Sequence, residues 1–230
     1  ELLLSLDSKA EYALDWSLDG SMLLTGGQDG VTRLWDANSG TLLRELPGSN
    51  LVAVADHNPL IVEETARRFG VRAYTDFTQL LEVERPHAVV VATPPTQHFA
   101  PAAEALQKGA HVLVEKPITA TLEEGIQLAS LAEHHSRLLM VGHIVRFNPA
   151  VRELKYRLDA GELGRIFQIT CRRVGPFPAP RRDVGVVIDL APHDLDLLCW
   201  LTNSEPKIIT AQTARQLHTE FEDLLVATLR

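Results

Sequence analysis

Several features that define other classes of protein are missing from this sequence. Its 230 residues include only two cysteines, Cys171 and Cys199, which lack metal-ligand spacing. No apolar run approaches the ~18 residues that a membrane-spanning helix needs, and no segment resembles a signal peptide. The 22 basic residues are outnumbered by 30 acidic ones, and the formal charge of −8 argues against a nucleic-acid partner. These absences predict a reduced, cytoplasmic protein that binds neither membranes nor nucleic acid.

The composition that remains is that of an ordinary globular protein. Hydrophobic residues make up 45% of the chain and charged residues 23%, values typical of a chain with a packed core. The chain begins at Glu1 and stops at Arg230 inside an apolar run, so we interpret it as truncated at both ends. His218, Glu220 and Glu222 lie on one loop, but their spacing is not diagnostic, and we expect no metal.

Residues 1–48 have the pattern of a small β-structure. Short apolar runs alternate with turn signals such as Asp19-Gly20 and Asp29-Gly30, which predict β-hairpins. A Trp-Ser-x-Asp-Gly motif at Trp16 and a Leu-Trp-Asp motif at Trp35 resemble one blade of a WD-repeat propeller. Because one blade cannot bury its sheet face alone, we interpret the segment as a remnant without a role. The alternative is an interaction element for a protein partner.

The stretch from Ala88 to Pro117 predicts a strand, a crossover helix and a second strand. Apolar runs at 88–92 and 111–114 flank an amphipathic stretch. Continuous apolar strands joined by a helical crossover are typical of parallel sheets with covered faces. Ligands of such sheets bind beyond the carboxyl ends of the strands, where this chain has Thr93 and Glu115-Lys116-Pro117.

A further buried-strand run, residues 51–55, ends in an acidic residue. Asp56 follows this run, and the next residues predict a helix over Pro59–Phe69 with Gly70 as its stop. In dinucleotide-binding folds, an acid at this position accepts hydrogen bonds from the adenosine ribose and disfavours a 2′-phosphate. Asp56 therefore indicates NAD rather than NADP. The alternative is that Asp56 only caps the helix that follows it.

The stretch 183–201 carries the strongest candidate for proton transfer. If it is one helix, Asp189 and His193 are four residues apart and share a face with Asp196. A carboxylate in that position orients an imidazole, and a neutral imidazole accepts a proton from a hydroxyl group. The alternative is a plain amphipathic helix, kinked by Pro192. The sequence also predicts a helix over 150–159 and strands over 166–174, 207–215 and 224–230.

Four motifs carry a resemblance to a known family. In this order, LVAVADHNP, VVVATPPTQH, HVLVEKP and GHIVRFNPA resemble the Gfo/Idh/MocA family of nicotinamide-dependent oxidoreductases, over about residues 46–230. The resemblance implies hydride transfer between NAD and a secondary alcohol of a sugar or sugar nucleotide. The stretches RRVGPFP, RDVGVVIDLAPHDLDLL and QLHTEFEDLL look like the branch that acts on nucleotide-linked amino sugars. Relatives commonly form homo-oligomers through open sheets.

The resemblance also implies roles for residues that match the family motifs. Lys116 would bind substrate or transfer a proton, and Arg182, with its neighbour Arg181, either meets an anionic substrate or is solvated loop charge. The full assignment is Lys116, His193 and Asp189 for catalysis, Asp56, Thr93, Pro94, His98 and Glu115 for cofactor binding, and Arg146, Asn148 and Arg182 for substrate binding.

One departure from the family concerns its opening strand, G-x-G-x-x-G loop and helix. The WD-like segment stands in their place, and Gly26-Gly27-Gln28-Asp29-Gly30 has neither the loop spacing nor a following helix. The missing strand is central in the 3-2-1-4 order, so its loss exposes apolar edges and removes the pyrophosphate cradle. We expect weaker cofactor binding, unless residues 21–24 fill the central position. The competing hypotheses are a WD-repeat interaction protein or a chimeric fragment with an inactive oxidoreductase remnant.

The sequence thus predicts an α/β protein in three parts. Residues 1–48 form a short all-β, WD-like segment. Residues 49–145 form an incomplete Rossmann-type nucleotide-binding domain, in which helices accompany a parallel sheet. Residues 146–230 form the start of an α+β substrate domain with an antiparallel sheet.

Overall fold

The structure is a computed structural model that describes the backbone of residues 11–16, 22–27, 32–36 and 42–46, and the whole of residues 50–175, 184–217 and 220–230. Two predicted residues, Arg182 and His218, lie outside the described residues. So do the turn signals of the first segment.

The first four strands form one antiparallel sheet. These are β1 (Glu11–Trp16), β2 (Met22–Gly27), β3 (Thr32–Asp36) and β4 (Leu42–Leu46), paired in the order β1-β2-β3-β4. The alternating apolar runs therefore predicted these strands correctly. The expectation that residues 21–24 fill a place in the parallel sheet is wrong, because both edges of β2 already pair with antiparallel neighbours.

The next elements are two short parallel strands with a helix after each. They are β5 (Ala53–Ala55), α1 (Pro59–Phe69), β6 (Arg72–Tyr74) and α2 (Phe77–Glu84). The side chain of Asn58 caps the first amides of α1, and Gly70 ends the helix with a φ of 66°. The predicted helix over Pro59–Phe69 is confirmed at both ends.

The stretch that predicts strand, helix and strand folds in that way. Its elements are β7 (Ala88–Val91), a short 3-10 helix (Pro95–Gln97), α3 (Phe99–Gln107) and β8 (His111–Val114), followed by α4 (Leu122–His134) and β9 (Leu139–Val141). The sheet order is β7-β8-β9, and β8 and β9 are parallel. Val112 and Val114 of β8 are buried with Leu106 of α3 and Leu128 of α4.

The five parallel strands belong to two separate sheets, β5-β6 and β7-β8-β9. The chain divides in the same way into two compact units, Glu1–Ala88 with Gln107–Ala110, and Val89–Leu106 with His111–Arg230. Val90 on β7 is 66% exposed.

The last part of the chain is mostly helical until its end. It contains a 3-10 helix (Ile144–Phe147), α5 (Pro149–Asp159), α6 (Val186–Asp189), α7 (Ala191–Thr202) and the antiparallel pair β10 (Ile209–Ala214) and β11 (Leu224–Leu229). None of the helices in the described part of the chain has the length and apolar character needed to cross a membrane.

Two predictions for this part are wrong. Residues 166–174 are not a strand, and no described strand pairs with them. The stretch 183–201 is not one helix, because the helix is interrupted at Leu190, between α6 and α7. Pro192 lies in the first turn of α7, where its missing N–H costs no helical hydrogen bond.

Candidate active site

The carboxyl ends of β7, β8 and β9 lie at one edge of their sheet. The Glu115 N–H donates to the Val91 carbonyl at 2.9 Å, and the Gly142 N–H donates to the Val114 carbonyl at 2.8 Å. These bonds keep the strand ends in register. The residues that follow the strands therefore collect at this edge, as ligand sites of parallel sheets do.

Lys116 follows β8 and is held by the last residue of α6. Its Nζ donates to the carbonyl oxygen of Asp189 at 2.6 Å and to Oδ1 of the Asp189 carboxylate at 3.0 Å. The side chain of Lys116 is only 17% exposed. An ammonium group has three N–H donors, and the third has no acceptor among the described residues.

His193 lies in the first turn of α7 and its imidazole is kept neutral by its surroundings. Burial, and then the charges of Lys116 and Arg173, lower the pKa of His193 below its usual value near 6.5, although Asp194 and Asp189 oppose the shift. Its Nδ1 is buried without a hydrogen-bond partner. The imidazole therefore has an unused nitrogen at neutral pH.

The predicted pairing of Asp189 and His193 on one continuous helix is wrong. Asp189 ends α6, and His193 lies in the first turn of α7. The carboxylate of Asp189 binds Lys116 instead. Asp189 thus positions the lysine and acts on the imidazole through charge.

A second cluster, which the sequence analysis missed in part, lies after β9. The carboxylate of Asp196, 9% exposed, accepts two hydrogen bonds from Arg146, with Nε to Oδ2 at 2.8 Å. His143 Nε2 lies 3.5 Å from Oδ1 of the same carboxylate, and burial lowers the pKa of His143. The available signal for His143 was its place two residues after the end of a strand, the same relation that Lys116 has to β8.

Two residues assigned to substrate binding have structural contacts. The guanidinium of Arg146 donates two hydrogen bonds to the Asp196 carboxylate and lies 5.8 Å from the centre of the Trp200 ring. The side chain of Asn148 accepts a hydrogen bond from the Ala150 N–H at 3.0 Å and caps α5. Both residues thus have structural roles, Arg146 in the 3-10 helix and Asn148 at the start of α5, and their binding of substrate stays a prediction.

The residues assigned to the nicotinamide side divide into two groups. Thr93 and Pro94 are exposed in the loop after β7, and Glu115 is half-buried with its carboxylate packed against Gly142. His98 is only 1% exposed, and its two ring nitrogens lie 2.8 Å from the Pro117 carbonyl oxygen and 2.7 Å from the Thr93 carbonyl oxygen. It therefore joins the two loops, and its role in cofactor binding stays a prediction.

Asp56 lies at the end of β5, in the other unit. Its Oδ1 accepts a hydrogen bond from the Asn58 N–H at 2.8 Å, but the residue that caps α1 is Asn58, so the capping alternative for Asp56 is wrong. Its Oδ2 has no hydrogen-bond partner in the described part of the chain. One carboxylate oxygen is therefore available to a ribose hydroxyl, which donates to such an acceptor.

Each unit, taken by itself, has a feature that suits part of a dinucleotide. In the first unit, Asp56 has a carboxylate oxygen of the kind that accepts from an adenosine ribose. In the second unit, the exposed loop at Thr93 and Pro94 follows a strand end, the place where parallel sheets bind ligands. The sequence has no G-x-G-x-x-G loop, and no described helix follows a glycine-rich turn. The described residues therefore do not supply the usual pyrophosphate cradle.

Comparisons with known proteins agree with this geometry. A family model described as an oxidoreductase family with an NAD-binding Rossmann fold matches residues 30–143, and a model of the GFO/IDH/MocA C-terminal domain matches residues 151–230. The chain belongs to the Gfo/Idh/MocA oxidoreductase family. The first match begins inside the segment that resembles a WD repeat, and the comparisons do not support the WD-repeat interpretation.

Individual relatives extend this finding. UDP-N-acetylglucosamine 3-dehydrogenase from Acidithiobacillus ferrooxidans is 38% identical over 71% of this chain and 50% of its own length. The NAD(+)-dependent scyllo-inositol 2-dehydrogenase from Bacillus subtilis is 32% identical over 76% of this chain and 53% of its own length. The WlbA dehydrogenase from Bordetella pertussis, solved with NADH and UDP-GlcNAcA, is 30% identical with a TM-score of 0.73, over 79% of this chain and 60% of that one. The chain spans about half the length of the two curated relatives.

The lowered pKa values of His143 and His193 predict that the chain loses stability in mild acid. Because folding lowers both values, the unfolded chain binds more protons between the folded pKa and the usual value near 6.5. We expect the contribution of these two histidines to the free energy of unfolding to be greatest above pH 6.5. It should be lost as the pH drops through their pKa values in the folded chain. The pH dependence of the free energy of unfolding is measured by urea unfolding of the wild type and of an H143N/H193N variant. The measurements run from about pH 7.5 to about pH 5, a range that brackets the usual histidine pKa.

The double variant should show a shallower fall than the wild type, and H134N on α4 should not differ from the wild type. Equal pH slopes in the wild type and the double variant would show that these histidines do not carry the effect.

Proposed function

We propose that this chain supplies the catalytic residues of an NAD-dependent dehydrogenase that oxidises a secondary alcohol on a sugar or nucleotide-sugar ring. The observation that carries the proposal is the arrangement at the end of β8, where Asp189 holds Lys116 and a neutral His193 begins the next helix. In this proposal residues 49–145 serve the nucleotide and residues 146–230 serve the substrate. Membership of the oxidoreductase family supports the reaction class.

In the proposed reaction, a bound NAD supplies the acceptor for the hydride. His193 takes the hydroxyl proton on its imidazole, while the C–H bond of the same carbon breaks and the C=O bond forms. The third N–H of Lys116 donates to the substrate oxygen and stabilises the negative charge that develops there. Asp189 fixes the ammonium group through two hydrogen bonds, so that Lys116 does not have to be ordered during the reaction.

Two relatives support the substrate class. UDP-N-acetylglucosamine 3-dehydrogenase and scyllo-inositol 2-dehydrogenase are both named for substrates with ring hydroxyl groups. The greater identity to the first favours a nucleotide-linked amino sugar. Because the glycine loop is missing, we expect cofactor affinity to be lower than in a chain that has one, by orders of magnitude.

The test is the reduction of NAD⁺, followed by absorbance, with UDP-N-acetylglucosamine and with scyllo-inositol at saturating cofactor. We expect NADH to form with the nucleotide sugar, and kcat to fall as the pH drops through the lowered pKa of His193, because a protonated imidazole accepts no proton. Formation of NADH from inositol alone would overturn the preference for a nucleotide sugar. Absence of NADH with both alcohols, in a folded chain that binds NADH, would overturn the proposed reaction.

A further inference from the structure

Glu222, just before β11, contacts the start of the helix that carries Asp189. The Val186 N–H donates to the main-chain oxygen of Glu222 at 3.0 Å, and the Val187 N–H donates to its carboxylate Oε1 at 3.1 Å. These are the first two amides of α6, which have no acceptor within the helix. Glu222 therefore satisfies both of them from a position 35 residues along the chain.

The residue before α6 makes room for this contact. Gly185 offers no side chain to cap the helix, and a β-carbon placed there would overlap the carboxylate of Glu222. The backbone angle φ of Gly185 is −78°, which any residue adopts. The requirement for glycine is therefore one of space, set by the approach of Glu222.

The helix that Glu222 caps is a single turn. α6 comprises four residues, Val186–Asp189, and one turn has too few hydrogen bonds to be stable by itself. Its last residue, Asp189, provides both acceptors that hold the Lys116 ammonium. The position of Lys116 thus depends on whether this turn is formed.

We propose that Glu222 is a positioning residue for Lys116, because it caps α6 and thereby fixes the two acceptors of Asp189 on the lysine. The proposal rests on the proposed function, in which Lys116 donates a hydrogen bond to the substrate oxygen. The contact itself is tested without cofactor and without turnover, so failure of the dehydrogenase assay and failure of this inference are separate results.

The neighbouring Asp223 provides a matched control. Its Oδ1 accepts from the Gln216 N–H at 2.8 Å, and its Oδ2 accepts from the Leu217 N–H. It is a carboxylate on the same segment that also accepts two backbone hydrogen bonds, but these order the connection between β10 and β11. A general loss of order in this part of the chain would appear in D223A as well.

The experiment measures acylation of Lys116 in the full chain by mass spectrometry and titration of the His193 ring by NMR. In the wild type, Nζ of Lys116 is shielded by its contacts with Asp189. We expect E222A to raise the acylation rate of Lys116 by about three- to tenfold, the range expected when a helix loses one capping interaction. The His193 pKa should move up towards its usual value, because burial and the Lys116 charge both lower it in the intact site.

The conservative variant separates the cap from general disruption. E222Q keeps an oxygen that accepts from Val187 and should stay within about twofold of the wild type in acylation rate. G185A should resemble E222A, because its methyl group displaces the carboxylate, and the combination with E222A should add little. D223A should leave both readouts unchanged.

The inference is overturned if folded E222A matches the wild type in Lys116 acylation and in the His193 titration. It is also overturned if D223A changes both readouts as much as E222A does. If E222A gives no folded protein, E222D is read against the same criteria, since the shorter side chain draws the carboxylate away from Val187.

Discussion

Replacing Lys116 by methionine is expected to lower kcat by about 10²–10⁴-fold while NADH affinity stays within about twofold of the wild type. Methionine keeps the length and apolar stem of the side chain but has no N–H to donate to the reacting oxygen. The loss should appear in kcat and in kcat/KM together, because the interaction strengthens only as charge develops on that oxygen. Steady-state kinetics with saturating NAD⁺ and the nucleotide sugar measure it.

Lys108 provides the control for this substitution. It lies in the first unit, 3.2 Å from Glu82, and no part of the proposed site includes it. K108M should retain the kcat of the wild type. A K116M variant with unchanged kcat and a raised KM would instead show that Lys116 only binds the substrate, and the negative charge on the reacting oxygen would then be stabilised by other groups.

Replacing Arg146 by alanine is expected to destabilise the chain by about 3 kcal/mol, the lower end of the range for breaking a buried ion pair. The reason is that Asp196, 9% exposed, would lose the two hydrogen bonds that compensate its buried charge. The lower end applies because Arg146 itself is 39% exposed. Urea unfolding with a common slope for both proteins measures the difference.

An exposed ion pair serves as comparison. Arg157 and Glu153 are four residues apart on α5, with Nε 2.6 Å from Oε1, and both side chains are exposed. R157A should destabilise the chain much less than R146A, because water solvates both charges of the exposed pair. If R146A is as stable as R157A and instead raises the KM for a nucleotide sugar, the substrate-binding role expected from the sequence is right after all.

The sequence predicted those helix and strand ends that are determined by residues within one or two turns of them. Gly70 was predicted as the end of α1, because a residue in the left-handed conformation ends a helix within one turn. The apolar runs of β7 and β8 likewise located Lys116 at a strand end, since the position depends only on where the run stops. These elements needed no knowledge of the rest of the chain.

The errors concern contacts that cross the chain. The spacing of Asp189 and His193 predicted a pair on one helix. The helix is interrupted between them, and the Asp189 carboxylate accepts a hydrogen bond from Lys116, 73 residues earlier in the chain. The sequence likewise did not indicate that the two ring nitrogens of His98 face carbonyl groups from different loops. The sequence around Glu222 does not indicate that its carboxylate caps α6. Periodicity reports which face of an element is buried, but not which partner meets it.

Titration of the chain with NADH, followed by nucleotide fluorescence, tests the central claim most directly. The account predicts saturable binding that D56R weakens by about ten- to hundredfold, because the ribose loses a charged acceptor. H193A should bind like the wild type, and so should E63R, which makes the same charge change on the exposed face of α1. Equal binding by D56R and the wild type, or no saturation up to millimolar NADH in a folded chain, would contradict the account.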